Sequence, residues 1–179
     1  MKYTLSENDV INYEGVTLYR VIALCDITNL SGEVIARKGD QGGYIEKECN
    51  LSQEGKAWVH KNAKVYGKAQ VLGDSQVCDY AIVYGDVKIK DCCMVGDHAQ
   101  IFEHAEVKGC CLVSGHAKIH GHATIRFGAI ITDYGEVSGH AVVEGQVMEH
   151  GKVSGNAYVP FGDVIAGNCE VCGDGDEVS

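Results

Sequence analysis

The feature of this sequence that most constrains its fold is a strict period of six residues. From Val59 to Val143, every sixth residue is Val or Ile. A mostly small residue, such as Ala57 or Ala63, stands two positions before each of them, and glycine with Asn, Asp, His or Lys lies between, as in VYGKAQVLGDSQV (65–77). This pattern is typical of a hexapeptide β-helix, because each repeat can bury its apolar side only against neighbouring coils.

The period also predicts the dimensions of the fold. Three hexads make a triangular coil of about 18 residues, and coils stack about 4.8 Å apart, which is the spacing of paired strands. The pattern therefore predicts an all-β fold, a parallel β-helix of roughly seven coils over residues 51–173. The period slips by two residues within 142–153 and resumes at Val153. We expect residues 174–179 to form a loose acidic tail.

Residues 1–50 do not follow the period. Two strand-like runs, YRVIALCDI (19–27) and EVIARKG (33–39), flank TNLSG, so a β-hairpin is expected there. The hairpin would cap the first coil, whose open backbone edge would otherwise pair with another chain. The sequence thus divides into a hairpin cap at 1–50, the β-helix at 51–173 and the tail at 174–179.

Charge and cysteine content restrict the partners and the compartment. The formal net charge is −10, and residues 69–179, with six Lys/Arg and sixteen Asp/Glu, carry the whole excess. This balance argues against generic nucleic-acid binding and against an anionic membrane surface. No secretory signal or membrane span is recognisable, and the nine cysteines are an odd number. We therefore expect a cytoplasmic protein with reduced thiols, in which the lone CxxC of Cys169 and Cys172 has no metal or redox role.

The histidines fall into columns, because residues 18 apart lie one above another. Two columns occupy corner positions: His104, His122 and His140, and His98 with His116. Histidine is among the non-glycine residues that tolerate positive φ, so these five are interpreted as corner residues. The alternative is that His104, His122 and His140 share Zn²⁺ or Ni²⁺, for which neutral imidazole is a good ligand. His120 differs, because it follows Ile119 and should point outward from a flat face.

The residues beside each inward aliphatic residue point outward, and the register sorts them onto three faces. Two of these faces are too apolar for free solvent, which indicates an interface, and a prism of this shape can close as a cyclic homotrimer. The three outward columns are Tyr66, Tyr84, Phe102 and His120; Leu72, Lys90, Lys108 and Arg126; and Trp58, Met94, Leu112 and Ile130.

The basic column needs an explanation, since stacking like charges costs energy. Neighbouring acids such as Glu106 could neutralise it. Alternatively, subunit packing could bring the basic column of one subunit near the aromatic column of the next, forming an anion site with rings and cations that suits a nucleotide or another aromatic phosphate. The predicted ligand-binding residues are Tyr66, Tyr84, Phe102, Lys90, Lys108 and Arg126.

The run KGDQGGYIEKECNLSQEGKAWVHKNAKVYGKAQV (38–71) resembles uncharacterised hexapeptide-repeat proteins of bacteria and their phages. Some of these are labelled acetyltransferases by fold alone. The resemblance implies a left-handed β-helix, which is commonly trimeric in the wider superfamily. Hexapeptide acyltransferases usually have glycine directly after the aliphatic residue and a protruding loop that helps to build the acyl-CoA site. Here glycine comes one residue later, as in Val65 and Gly67, and the period from Val59 to Val143 has no inserted loop.

Three functions of different classes follow. The preferred one is a non-catalytic trimer that binds a small anionic, nucleotide-like ligand in inter-subunit grooves; if a phage encodes it, it would sequester a host defence signal in the host cytoplasm. The second is an acetyl-CoA-dependent acyltransferase with His120 as the base, because histidine can take a proton near neutral pH. The third is a structural assembly module. No catalytic constellation is recognisable, so a cofactor, acetyl-CoA, is predicted only for the second function.

Overall fold

The period of six residues forms a β-solenoid in the computed structural model, which describes residues 1–29 and 31–173. Each hexad supplies one short strand and one corner. The second residue of each strand, such as Val65 or Val83, points inward and is fully buried, as is the small residue before the strand, such as Ala63 or Ala81. Parallel pairing joins residues 18 apart, for example Val65 with Val83. The predicted all-β architecture and register are confirmed.

The N-terminal cap is an antiparallel hairpin of β1 (Tyr3–Tyr13) and β2 (Val16–Ala23). β2 also pairs antiparallel with β5 (Gln41–Ile45), the first strand of the solenoid, so the hairpin covers the edge of one sheet. A smaller pair, β3 (Ile27–Thr28) and β4 (Val34–Ala36), packs beside it.

The predicted N-terminal hairpin is therefore confirmed, but the strands assigned to it were wrong. The run 19–27 pairs mainly with β1 and β5, and it meets the run 33–39 only through β3 and β4. β1 was missed because most of its side chains are polar or partly exposed and a bulge between Ser6 and Val10 interrupts its alternation.

Arg20 on β2 ties the hairpin to the first coil. Its guanidinium donates to the carbonyls of Gly42 at 2.9 Å and Lys61 at 2.7 Å, and its Nε donates to Asp9 at 2.9 Å. The Tyr44 ring lies under it, with the guanidinium carbon 3.8 Å from the ring centroid. One buried side chain thus joins the bulge of β1, the strand β5 and the first complete coil.

Three sheets form the faces of the solenoid, and one of them has seven strands, which corresponds to seven turns. A single turn of 3-10 helix, Glu48–Asn50, leads into the first coil. Face 1 consists of β5, β7 (Lys64–Val65), β10 (Ile82–Val83), β13 (Gln100–Ile101), β16 (Lys118–Ile119), β19 (Glu136–Val137), β22 (Lys152–Gly155) and β25 (Glu170–Gly173).

The other two faces follow in chain order within each coil. Face 2 consists of β8 (Gln70–Val71), β11 (Lys88–Ile89), β14 (Glu106–Val107), β17 (Thr124–Ile125), β20 (Val142–Val143) and β23 (Tyr158–Val159). Face 3 consists of β6 (Trp58–Val59), β9 (Gln76–Val77), β12 (Met94–Val95), β15 (Leu112–Val113), β18 (Ile130–Ile131), β21 (Gln146–Val147) and β24 (Val164–Ile165).

The predicted slip in the period shortens one corner. Ile131 pairs with Val147, which is 16 residues later instead of 18, because the corner between β20 and β21 lacks two residues. Gly145 takes the small inward position of that hexad, and a Cβ there would lie 2.6 Å from the carbonyl oxygen of Pro160, so only glycine fits. The coils on both sides keep their register, and the columns continue past the slip.

The corner histidines lie where the register predicts, but the positive φ assigned to them was wrong. The residue before each histidine has the positive φ: Gly121 before His122 at 70°, and Asp97 before His98 at 53°. This residue makes the tight part of the corner, where a Cβ at Gly121 would lie 2.8 Å from the backbone nitrogen of Gly139 in the next coil. The histidine follows the turn and directs its ring outward.

Acidic residues fill this positive-φ position at many corners that lack glycine. Each carboxylate accepts a hydrogen bond from the backbone N–H of the residue stacked below it, as Asp97 does from Gly115 at 2.9 Å. These acids are therefore structural parts of the corners. The acceptors are Asp79, Asp91, Asp97, Glu103, Asp133 and Glu149.

The acidic tail predicted at 174–179 lies outside the described residues. None of the described residues forms a helix with the length and hydropathy needed to cross a membrane.

Candidate functional site

The predicted aromatic column on face 1 is a continuous stack of rings, hereafter the face-1 ladder. Each ring belongs to the residue that follows an inward aliphatic residue, so the register places the four rings one above another. Ring centroids are 5.1 Å apart for Tyr66 and Tyr84, 5.2 Å for Tyr84 and Phe102, and 4.8 Å for Phe102 and His120, with planes within 7°. Tyr84 and Phe102 thus have both faces covered and offer only ring edges to a ligand.

The upper end of the face-1 ladder is part of the cap. Tyr66 is 7 % exposed, its hydroxyl lies 3.1 Å from a carboxylate oxygen of Glu14, and the ring of Tyr13 covers it edge-on at 6.0 Å. Burial, and then the hydrogen bond to Glu14, raise the pKa of Tyr66 well above its ordinary value. Tyr66 therefore attaches the hairpin to the solenoid, a contact that the sequence did not reveal.

The lower end of the face-1 ladder is His120, which two carboxylates hold in place. Its Nε2 lies 3.2 Å from Glu136 Oε1, and its Nδ1 lies 3.8 Å from Glu103 Oε2. The side chain is 25 % exposed and stands on the flat face, as predicted. An imidazole oriented by a carboxylate can accept or donate a proton, so this residue keeps the chemical competence expected of a base.

The predicted basic column on face 2 is present, and carboxylates of the same chain pair with it. Glu106 accepts from Lys90 at 2.6 Å and from Lys108 at 2.5 Å, while Arg126 pairs with Glu144 at 2.7 Å. Burial alone would raise the pKa of Glu106, but hydrogen bonds from Lys108 and Lys90 hold it below its ordinary value. The neutralisation by Glu106 that the sequence suggested is thus observed.

Pairing does not cancel the positive charge of face 2. Its outward positions include an exposed lysine, Lys88, beside the basic column, so four cations face the two carboxylates Glu106 and Glu144. The excess of two positive charges lies on one flat face of a chain whose net charge is −10. Lys88 and Glu106 also line a depression of about 270 Å³ together with Asp86 and His104.

The aromatic and basic columns lie on different faces of the chain but on the same coils. Both columns also end at the same coil, because the next residues below His120 and Arg126 are Ser138 and Glu144. One chain therefore does not bring rings and cations together, although it presents them at equal heights. The pairs that share a coil are Tyr84 with Lys90, Phe102 with Lys108, and His120 with Arg126.

The corner column of His104, His122 and His140 is stacked with centroids 4.8 Å apart and planes within 5°. Nitrogen lone pairs lie in the ring planes, so those of stacked imidazoles run parallel and do not converge on one ion at about 2.0–2.1 Å. No group of three or more His, Cys, Asp or Glu among residues 1–29 and 31–173 is placed to hold a metal ion.

The second corner column is longer than the sequence analysis recognised. Tyr80 precedes His98 and His116, and Tyr134 and His150 follow, with centroids 5.0–5.1 Å apart. The tyrosines were missed because only histidines were followed from coil to coil. His150 lies 16 residues after Tyr134, so it joins the column only when the shortened corner is counted.

Cysteines provide one cross-link between coils. Cys92 and Cys110, stacked at the corner between faces 2 and 3 with Cα atoms 4.5 Å apart, form a disulfide, so the expectation that every thiol is reduced was wrong for this pair. The spacing of 18 residues was the available signal, because it places the two side chains on adjacent coils. Cys169 and Cys172 of the CxxC are free and exposed.

Comparisons with known proteins agree with the resemblance seen at residues 38–71. No family model matches the chain. Among curated proteins, the uncharacterized acetyltransferase YdcK of Escherichia coli K12 is 34 % identical over 84 residues. The match covers 42 % of this chain and only 24 % of that relative. The chain is thus similar to hexapeptide-repeat proteins that carry an acetyltransferase label.

Proposed function

We propose that this protein is a non-catalytic binding protein that holds a small anionic, nucleotide-like ligand in the grooves between subunits of a homotrimer. The observation that carries the proposal is the excess of cations on face 2, at the same height as the face-1 ladder. In a phage-encoded chain, such binding would sequester a host defence signal in the host cytoplasm.

The paired cations keep capacity for a ligand. Lys90, Lys108 and Arg126 have side chains 37 %, 33 % and 35 % exposed, so each can be reached from solvent. An ammonium group has three donors and a guanidinium five, which is more than the bonds made to Glu106 and Glu144. A phosphate can therefore bind to them without breaking these ion pairs.

Face 3 is suited to subunit contact. Below Trp58 its outward positions carry no charged side chain, and Met94 and Val164 are 47 % and 51 % exposed. An uncharged, partly apolar face on a chain of net charge −10 is the surface on which another subunit docks at the lowest electrostatic cost. We assign this face to the trimer contact.

A contact between face 3 of one subunit and face 1 of the next would build the groove. The basic column lies next to the corner between faces 2 and 3, and the face-1 ladder lies next to the corner between faces 1 and 2. These two corners form the opposite sides of the groove mouth. Cations of one subunit would thus face ring edges of its neighbour, at equal heights if the subunits are not displaced along the solenoid axis.

The test is titration calorimetry with adenosine monophosphate, combined with light scattering to count subunits. We expect a trimer, one ligand per groove recovered unchanged, and a loss of at least tenfold in affinity in the Lys90→Ala/Lys108→Ala variant. Lys118→Ala removes an exposed lysine from face 1 and is the matched control. Unchanged affinity in the double variant would refute the site, and a trimer that binds no nucleotide would leave the structural assembly role.

A second candidate, an acetyl-CoA-dependent acyltransferase, is favoured by the hydrogen bond between His120 and Glu136 and by the name of the relative. His120 would remove a proton from an acceptor hydroxyl or amine. Turnover of acetyl-CoA by the protein, abolished in His120→Ala but not in His116→Ala, would establish this activity. Absence of both binding and turnover of acetyl-CoA would exclude it.

A further inference from the structure

The face-1 ladder has one closed end and one open end. Tyr13 covers the ring of Tyr66 at the upper end, whereas no described ring follows His120 at the lower end. The two positions below His120 in the same column are Ser138 and Ser154, both partly exposed. The imidazole therefore has Phe102 on one face and only small side chains below the other.

The space below His120 matches a planar ring. Coils are about 4.8 Å apart, so two serines in succession leave about 10 Å along the column, which is more than one aromatic ring needs. Glu136 and Lys152 stand beside this space in the neighbouring outward column of face 1. It therefore offers a ring face, two hydroxyls, a carboxylate and an ammonium group.

The imidazole is held ready for stacking. Glu136 and Glu103 contact its two nitrogens, and the ring is parallel to Phe102 within 1°. A ring that is already oriented loses little conformational freedom when a second ring stacks on it. Stacking on the open face also requires no movement of the other three rings.

We propose that the open face of His120 is the stacking site for an amino-substituted nucleobase, with Ser138 below it. The base would extend the face-1 ladder by one ring, and its exocyclic amine would donate to Glu136. This inference rests on the proposed function, since the phosphate of the same nucleotide would bind the basic column of the neighbouring subunit. It goes further in naming the base, its position and the residue that leaves room for it.

The corner ladders do not offer an equivalent site. The ladder from Tyr80 to His150 runs beside Asp97, Asp133 and Glu149, which repel an anionic ligand. In the other corner column, His140 is followed one coil below by Asn156, which occupies the position that a ring would need. Only the face-1 ladder, among the ring columns described, ends beside serines on a flat face.

The experiment compares adenosine monophosphate with ribose 5-phosphate, which lacks the base. The base should improve affinity by about tenfold or more, as stacking on one ring commonly does. Ser138→Tyr places a ring below His120 and should remove that advantage while ribose 5-phosphate binding stays. Asn168→Tyr, which adds a ring below His150 on the corner ladder, should change neither affinity.

A nuclear magnetic resonance titration of the unmodified protein gives an independent readout. Adenosine monophosphate should shift the ring protons of His120 upfield through the ring current of adenine, and ribose 5-phosphate should not. Equal affinities for both probes, or an unshifted His120, would overturn the stacking site. If both probes bind equally and lose affinity in Lys90→Ala/Lys108→Ala, the proposed function survives without it, whereas no binding of either probe refutes both.

Discussion

An acidic residue at a solenoid corner combines two properties that glycine does not have together. Its backbone adopts the positive φ of the corner, and its carboxylate accepts the backbone N–H of the next coil, as Asp97 shows with Gly115. Aspartate tolerates the left-handed region better than most residues, while glycine lacks the acceptor. The hexad pattern predicted which residues stack, but not that the acids provide these hydrogen bonds, because the bond depends on the backbone direction at the corner.

Asp97→Ala should lower the free energy of unfolding by about 1–3 kcal/mol, because it removes the hydrogen bond to Gly115 and places an alanine at positive φ. Asp97→Asn keeps an acceptor and tolerates the same φ, so it should cost less than half as much. Urea denaturation followed by circular dichroism measures both. Equal destabilisation by the two variants would show that the charge, and not the acceptor, matters.

Tyr66 gives the protein an alkaline limit. Burial raises its pKa above the ordinary value of 10.0, so above that pH the unfolded chain loses a proton that the folded chain retains. The unfolded state is then favoured increasingly as pH rises, and the contribution is fully present only below pH 10. The free energy of unfolding should fall between pH 10 and 11, and less steeply in Tyr66→Phe. Parallel curves for the two proteins would contradict this assignment.

Secondary-structure elements differ in how far the sequence specified them. The solenoid strands could be predicted almost residue by residue, because each inward Val or Ile, such as Val83, repeats the same packing problem. The hairpin strand β1 could not, since its partners are β2 and the bulge at Ser6–Val10, and its polar side chains carry no period. Tertiary contacts, chiefly those of Arg20, decide its position.

Arg20→Met should detach the cap more than it weakens the coils. It removes the bonds to Gly42 and Lys61 and leaves Asp9 without its ion-pair partner, so we expect a loss of about 2–4 kcal/mol. Hydrogen exchange should accelerate in β1 and β2 while the middle coils stay protected. Arg37→Met, on an exposed loop, is the control. Uniform acceleration along the whole chain would argue against a local clamp.

The Cys92–Cys110 disulfide closes a segment of 18 residues between adjacent coils. A link of this length restricts the unfolded chain and should add about 3 kcal/mol to the free energy of unfolding. Treatment with dithiothreitol, or the Cys92→Ser/Cys110→Ser variant, should remove that contribution to the same extent. Cys25→Ser, which alters a free thiol, should not respond. A variant as stable as the oxidised protein would show that the link is not stabilising.

At the scale of the whole molecule, charge is sorted by position. Many of the acids that make the net charge −10 sit at corners, while face 2 keeps an excess of cations and face 3 below Trp58 is uncharged. Composition alone indicated an acidic protein, whereas the register showed which face is basic. The sequence thus predicted the stacked columns of the candidate site. It did not show that the ring faces of Tyr84 and Phe102 are covered, which depends on how the side chains lie.

The 18-residue coil also determines how such a gene can change its length. Removing one whole coil joins two corners of the same kind, so every remaining column stays aligned and only its height is reduced. Removing a single hexad rotates all later residues onto the next face, so a column below the cut would continue with side chains that belonged elsewhere. The shortened corner at Gly145 shows the third option, in which residues are lost from a turn and the faces keep their alignment. Natural length variants should therefore differ by multiples of 18 residues or by trimmed corners.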